Sequence, residues 1–369
     1  MKRTAVILLG PSREAVSGVS THLNLLLGSA LPRQFDLMHF QVGSEGRREG
    51  LLRKAARLLA SPFLLAASIV RHGAAVVHVN TSLDSGAYWR DLAYVALSKL
   101  CGARVVYQVH GGALPAEFFA GSRLLSAWLR ATLAWPDVVV VLASMEAQAY
   151  RAYVPRQNVA LVPNGIDRAA FLGRRAARSG PLGLLYIGRL IATKGLYESL
   201  EALAAGRALG VQARLVIAGG GPEEARLRAR VRELQLDEHV SFAGPAFGER
   251  KARLLAEADV LLLPSYHAEG LPYALLEGMA AGLVPIVTRI GAIPDVVPDE
   301  LHGQFVPPGD AGAIVAAIRA LERDRERLMR MSPACRARVA SAFTVERVAA
   351  DFAALYAALC AARTPEAAT

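Results

Sequence analysis

Two glutamates, Glu269 and Glu277, lie eight residues apart in His267-Ala268-Glu269-Gly270-Leu271-Pro272-Tyr273-Ala274-Leu275-Leu276-Glu277-Gly278. On a helix that spacing is about 80° around the axis and about 12 Å along it. Two carboxylates so placed reach one elongated ligand from different points. A second candidate set is cationic: Arg189 and Lys194 in Gly188-Arg189-Leu190-Ile191-Ala192-Thr193-Lys194-Gly195. Two cations on one short loop suit a diphosphate, which they hold by charge and by charge-assisted hydrogen bonds. The third candidate is His110, at the end of the alternating run Arg104-Val105-Val106-Tyr107-Gln108-Val109 and followed by Gly111-Gly112. The remaining seven histidines show no metal-ligand spacing.

The elements that must position these groups follow from local pattern. The apolar run Val260-Leu261-Leu262-Leu263, stopped by Pro264-Ser265, reads as a buried strand. Pro272 suits the first position of a helix over 272–281, and Gly282 suits the residue just past its end. Val284-Pro285-Ile286-Val287-Thr288 reads as the next strand. Glu269 then sits in a strand-to-helix loop, at the carboxyl edge where open α/β sheets bind ligands. The helix start beside it offers free N–H groups and a positive dipole end. A strand over 182–187 delivers Arg189, and Lys194 opens the helix that begins at Gly195. Strands over 214–218 and 240–244 run into Gly219-Gly220-Gly221 and Gly244. In the first half, strands are expected over 4–10, 35–42, 74–80, 104–110 and 138–142, with a helix over 19–28 opened by Ser17-Gly18. The alternation is α/β. No GxGxxG follows the first strand, which argues against a dinucleotide oxidoreductase.

At 369 residues the chain favours two domains over one core. Its 53% hydrophobic and 20% charged residues indicate a folded globular protein. The three cysteines, Cys101, Cys335 and Cys360, are odd in number and far apart, so neither a disulfide framework nor structural zinc is expected. The opening run Thr4–Gly10 is too short for a signal peptide, and no stretch approaches the roughly 18 apolar residues that span a bilayer. The net charge of +10 is one-sided: residues 1–175 carry 20 basic and 10 acidic residues, residues 176–369 carry 22 of each. Charge alone therefore points to an anionic partner of the first half: membrane, nucleic acid or a phosphorylated acceptor. The segment 49–60 adds to this. Leu51, Leu52, Ala55, Leu58 and Leu59 share a helical face, Arg47, Arg48, Arg53, Lys54 and Arg57 stay polar, and apolar residues 62–70 follow. Such a helix suits either an anionic membrane surface or the protein's own domain.

The loop around Glu269 and Glu277 resembles the Glu-x7-Glu motif of retaining glycosyltransferases of the GT-B fold, family 4. Gly188–Gly195 resembles that family's Gly-Arg-x4-Lys-Gly clamp, and Pro163-Asn164-Gly165-Ile166-Asp167 its interdomain junction. Ala281–Thr288 and Gly291-Ala292-Ile293-Pro294-Asp295 are similar to the segment after its second glutamate. The matches run in family order over roughly residues 160–300. The resemblance implies two facing Rossmann-like domains with parallel sheets and an interdomain cleft. These would be an acceptor-side domain over 1–172, completed by a helix over 344–361, and a nucleotide-sugar domain over 173–343. It implies that Arg189 and Lys194 hold the donor diphosphate and Glu269 the sugar hydroxyls, with the N–H groups of Gly270 and Leu271. Glu277 would take the ribose, Gly18 would approach phosphate and sugar, Gly219 and Gly244 would line the nucleotide site, and His110 would face the transferred sugar. No Asp-x-Asp motif is present, so no metal and no cofactor are expected. The implied reaction moves a hexose from a UDP- or GDP-sugar to a glycan or polyprenyl-diphosphate-linked acceptor in bacterial exopolysaccharide or lipopolysaccharide synthesis. The implied location is cytoplasmic, peripheral on the inner face of the cell membrane, with no nucleic-acid partner. A nucleotide-sugar 2-epimerase of the same fold and a non-catalytic sugar-nucleotide-binding subunit are the alternative readings.

Overall fold

A computed structural model describes residues 3–45, 49–171, 180–266 and 270–362. Glu269 lies outside the described residues, as do Arg47, Arg48 and the stretch 172–179. The chain divides into two compact units: Met1–Gly165 with Val345–Thr369, and Ile166–Thr344. The boundary falls at Gly165 rather than at 172, and the returning segment starts at Val345. Ile166 already belongs to the second unit, where its N–H donates to the Phe343 carbonyl at 3.0 Å and it bridges to Thr344.

In unit 1, β1 (Thr4–Gly10), β2 (Phe35–Gln41), β3 (Val76–Leu83), β4 (Arg104–Gly112), β5 (Val138–Val141) and β6 (Val159–Leu161) form one sheet, in the order β2-β1-β3-β4-β5-β6. In unit 2, β7 (Leu182–Ile187), β8 (Ala213–Ala218), β9 (Val240–Phe242), β10 (Val260–Leu263), β11 (Val284–Val287) and β12 (Gln304–Phe305) are ordered β12-β11-β10-β7-β8-β9. Every strand pair is parallel. Parallel strands are covered on both faces, which is why β5 (all Val) and β10 (Val-Leu-Leu-Leu) are apolar at every position and wholly buried. The strand order reverses between β1 and β3 in one unit and between β7 and β10 in the other. Open α/β sheets bind ligands outside the carboxyl ends of the strands at such a reversal.

Local chemistry sets the helix starts. Ser17 caps the helix Gly18–Gly28 by accepting from the Ser20 N–H at 3.3 Å, so Gly18 is its first residue. Pro272 is the extended residue just before the helix Tyr273–Ala281, not its first turn, and Gly282 ends that helix in the left-handed conformation at φ 85°. The amphipathic segment and the apolar residues after it are continuous. One helix, Leu51–His72, runs through Pro62. The Arg- and Glu-rich stretch 322–340, which its composition alone would place in solvent, belongs mostly to the helix Arg325–Ala342, which buries Leu328, Met331, Cys335 and Val339. Among the described residues no helix is long and apolar enough to cross a membrane.

The helix Val345–Ala361 completes the core of unit 1. Its Phe352 and Tyr356 are fully buried among Val6, Leu8, Val76 and Val106. Truncating a buried phenylalanine costs about 3–5 kcal/mol, from lost burial and the cavity left behind. Phe352→Ala is expected to lower the urea stability of unit 1 by that amount. A loss below about 1 kcal/mol would show that the helix is not part of this core.

Candidate functional site

In unit 2 the loops after β7, β8 and β9 are stitched together by backbone. Gly188 N–H donates to Ala218 O at 3.0 Å, Leu190 N–H to Gly220 O at 3.0 Å, and Gly219 N–H to Gly244 O at 2.9 Å. A Cβ on Gly219 would stand 1.8 Å from the Gly188 carbonyl oxygen, so only glycine lets the two turns meet. The three glycine turns expected to meet the donor thus form one continuous rim. The 3-10 turn Ala192–Lys194 follows, then Gly195 at φ 71°, then the helix Leu196–Ala208. A Cβ on Gly195 would lie 2.2 Å from the Pro264 oxygen. Tyr266 donates its N–H to Thr193 O at 3.1 Å and its hydroxyl to Ala192 O at 2.7 Å. The Lys194 turn is therefore tied to the loop that leaves β10, across the point where strand order reverses. Arg189 is exposed and makes no ion pair among the described residues, which leaves its charge available to an anion. Lys194 is half-buried, directly ahead of a helix N-terminus.

Gly270 and Leu271 lie between β10 and the helix that carries Glu277. Glu277 is only 6% exposed. Lys251, from the helix Gly248–Glu257, donates to its Oε1 at 2.6 Å. Burial pushes the Glu277 carboxyl above its usual range, and Lys251 pulls it back toward the charged form. An unpaired carboxylate here would carry a large desolvation cost. Lys251 was absent from the sequence expectations. Its spacing from Glu277 follows no local periodicity, because the contact joins two separate helices. A pocket of about 350 Å³ in the same unit is lined by Ala170, Phe171, Glu249, Ala252, Arg253, Ala256 and Ala281, and contains none of the expected site residues.

In unit 1 the carboxyl edge carries a buried polar cluster. His110, near the end of β4, bonds through Nε2 to Asn80 Oδ1 at 2.9 Å, and Asn80 Nδ2 donates to Leu9 O at 3.0 Å. The His22 and His110 rings meet edge-on at 4.8 Å. His78 bonds to the Tyr356 hydroxyl at 2.6 Å and to Gln108 Oε1 at 2.9 Å. Burial lowers His22 to about 4, with the Gln108 amide acting the other way. Burial and the neighbouring His22 lower His78 to about 3, and His110 is held well below its ordinary value by burial, His22 and His78. Gly18 opens the helix that carries His22. His22, His78 and Asn80 had no individual role in the sequence expectations. Their signal was faint: polar residues inside apolar strand and helix patterns. Among the described residues no group of three or more His, Cys, Asp or Glu could hold a metal ion.

Residues 168–338 match the family Glycosyl transferases group 1, and residues 28–170 match Glycosyltransferase Family 4. The chain is 32% identical over 195 residues to the amylovoran biosynthesis glycosyltransferase AmsK of Erwinia amylovora, a match covering 51% of this chain and 48% of AmsK. It is 29% identical over 236 residues to the GDP-mannose:cellobiosyl-diphosphopolyprenol alpha-mannosyltransferase of Xanthomonas campestris, covering 62% of this chain and 61% of that one. The chain thus spans about half the length of the first of these relatives and under two thirds of the second. The sucrose-phosphate synthase of Thermosynechococcus elongatus superposes with a TM-score of 0.77 at 22% identity, over 98% of this chain and 100% of that one, which is a likeness of fold.

The buried histidines make stability depend on pH. His22 and His78 stay neutral in the folded chain down to about 4 and 3, against 6.5 when unfolded. The unfolded chain therefore takes up protons first. This contribution is fully present above 6.5 and is lost as pH falls toward 4. Each histidine contributes a slope of up to about 1.4 kcal/mol per pH unit. Urea midpoints at pH 7.5, 6 and 5 are expected to fall steadily, and His22→Leu to flatten the fall by one proton's share. A flat wild-type profile would contradict the buried neutral cluster.

Proposed function

From the match of residues 168–338 to the family Glycosyl transferases group 1, we propose that the chain is a retaining, metal-independent hexosyltransferase acting on a nucleotide sugar. The observation that carries this reading is the cationic turn at the carboxyl edge of unit 2. Arg189 is exposed there without an ion-pair partner among the described residues, and Lys194 stands ahead of a helix N-terminus. In the reaction the bond from the anomeric carbon to the diphosphate oxygen breaks, and the acceptor oxygen bonds to that carbon from the same face. The acceptor's proton passes to the departing phosphate. Negative charge grows on the diphosphate as the bond breaks, so fixed cations and N–H dipoles favour the transition state over the ground state. With that charge met by Arg189, Lys194 and the helix, no metal is needed. Glu277 serves the ribose hydroxyls, with Lys251 favouring its charged form against the pull of burial, and the rim of Gly219 and Gly244 accommodates the base. Glu269, with the N–H groups of Gly270 and Leu271, holds the sugar hydroxyls, and His110 meets the transferred sugar. The donor is a UDP- or GDP-sugar. The acceptor is a glycan or polyprenyl-diphosphate-linked saccharide of exopolysaccharide or lipopolysaccharide synthesis.

A lipid-linked acceptor calls for a protein held at the inner face of the cell membrane. The helix Leu51–His72 supports that location. Leu52, Leu59, Phe63 and Val70 are 88, 75, 69 and 72% exposed. Their spacings of seven, four and seven residues put them on one stripe about 40° wide. Arg53 and Arg71 are exposed about 100° to one side of it, while Leu65 and Ile69 on another face are buried. An apolar stripe with cations along one side suits the interface of an anionic bilayer.

Two experiments test the reading. A thermal-shift panel of nucleotides and nucleotide sugars, with EDTA present, is expected to show stabilisation by one base class. Lys194→Ala and Arg189→Ala are each expected to cut turnover of the stabilising donor about 100-fold, the usual loss when a donor to developing charge is removed. Turnover within twofold of wild type in both variants would overturn the assignment, and dependence on added divalent metal would overturn the metal-free mechanism. For location, co-sedimentation with phosphatidylglycerol vesicles is expected for the wild type and lost in Leu59→Glu/Phe63→Glu with nucleotide binding intact. Equal sedimentation of both proteins would remove this helix from the account.

A further inference from the structure

The unit 1 cluster fixes which nitrogen of His110 carries its proton. Asn80 is buried, and its amide is pinned by the Nδ2–H bond to the Leu9 carbonyl at 3.0 Å. Turning that amide over would set its carbonyl oxygen against the Leu9 oxygen, two acceptors with no proton between them. The Asn80 oxygen therefore faces His110, 2.9 Å from Nε2. An oxygen accepts, so Nε2 must donate, and a neutral imidazole that carries its proton on Nε2 has a bare lone pair on Nδ1. The edge-on His22 ring at 4.8 Å limits rotation of the His110 ring away from this arrangement.

We propose that Asn80 is the positioning residue of His110, holding it as the Nε2–H tautomer so that Nδ1 offers a hydrogen-bond acceptor to a hydroxyl of the transferred sugar. This rests on the reading above that His110 meets the sugar. Selection follows directly. A hydroxyl can donate to Nδ1, whereas a group that only accepts finds no proton there. A protonated His110 would lose the acceptor altogether, and its surroundings work against protonation. The titratable groups whose charge reaches it are His22, from the helix Gly18–Gly28, and His78, from β3. Both are neutral above about pH 5, since they titrate near 4 and 3.

The first test needs no ligand. In protein labelled with 15N-histidine, the long-range proton–nitrogen spectrum is expected to show His110 with an unprotonated, pyridine-like Nδ1 and a protonated Nε2, and Asn80→Leu is expected to lose that pattern. A wild-type spectrum with the proton on Nδ1 would overturn the proposal whatever the activity. The second test measures release of UDP from UDP-glucose and of GDP from GDP-mannose between pH 5.5 and 8.5. Asn80→Asp keeps an acceptor at Nε2 but adds a negative charge that favours the imidazolium. It is expected to lower kcat about tenfold or more at the acid end and to recover as pH rises, with nucleotide affinity within twofold of wild type. His110→Ala separates the two ideas. If it turns over like wild type, the reading that His110 meets the sugar fails. If it is impaired while Asn80→Asp shows no new acid limb, His110 stays at the sugar and the positioning role of Asn80 is overturned.

Discussion

A parallel sheet has to be covered on both faces, and most of this molecule follows from that constraint. Strands so buried become unbroken apolar runs, as in β5 and β10. Each strand must then return over a face of the sheet before the next parallel strand begins, so the strand-to-helix loops gather at the carboxyl edge. Arg189, Lys194 and Gly219 in one unit follow such strand ends, and Asn80 and His110 in the other lie in the carboxyl halves of their strands. The same constraint explains the helix Val345–Ala361. One face of the unit 1 sheet is not covered by the first 165 residues alone, and Phe352 and Tyr356 finish it.

The two edges use opposite electrostatics. In unit 2 charge is kept: Glu277 is buried but paired with Lys251 at 2.6 Å, and Arg189 is left to solvent. In unit 1 charge is disfavoured: His22, His78 and His110 stand together in one polar cluster, and burial lowers the pKa of all three. A leaving group that gains charge is best met by fixed cations, and a sugar hydroxyl is best met by neutral acceptors. The sheets are alike, and the polar residues placed on their edges are not.

The strands were legible because their composition is nearly one-valued, and the turn Gly188–Gly195 because glycine, arginine and lysine stand at fixed distances along one loop. What escaped was set by contacts between elements. Lys251 and Glu277 sit on different helices, and nothing in either helix marks the partner. The helix Leu51–His72 continues through Pro62 although proline removes one N–H and crowds the preceding turn; Pro62 lies on the buried side, where packing of Leu65 and Ile69 holds the helix together. Arg325–Ala342 looked exposed because its charged residues outnumber the four that reach the core. The histidine cluster was invisible for a related reason: His22, His78 and His110 come from three elements, and only the fold brings them together.

The closing of unit 1 by Val345–Ala361 also orders events during synthesis. Residues 166–344 form a unit of their own, and they leave the ribosome between the two parts of unit 1. At about 5–20 residues per second, roughly 10–35 s pass while the first sheet waits for Phe352 and Tyr356. Through that interval the apolar face around Val6, Leu8, Val76 and Val106 is covered only in part, by Leu23, Leu26 and Leu31. The embedded unit can finish folding before its host does. A nascent chain of this kind depends on temporary shielding of one sheet face, and a ribosome stalled before residue 345 leaves a product with one finished unit and one unfinished.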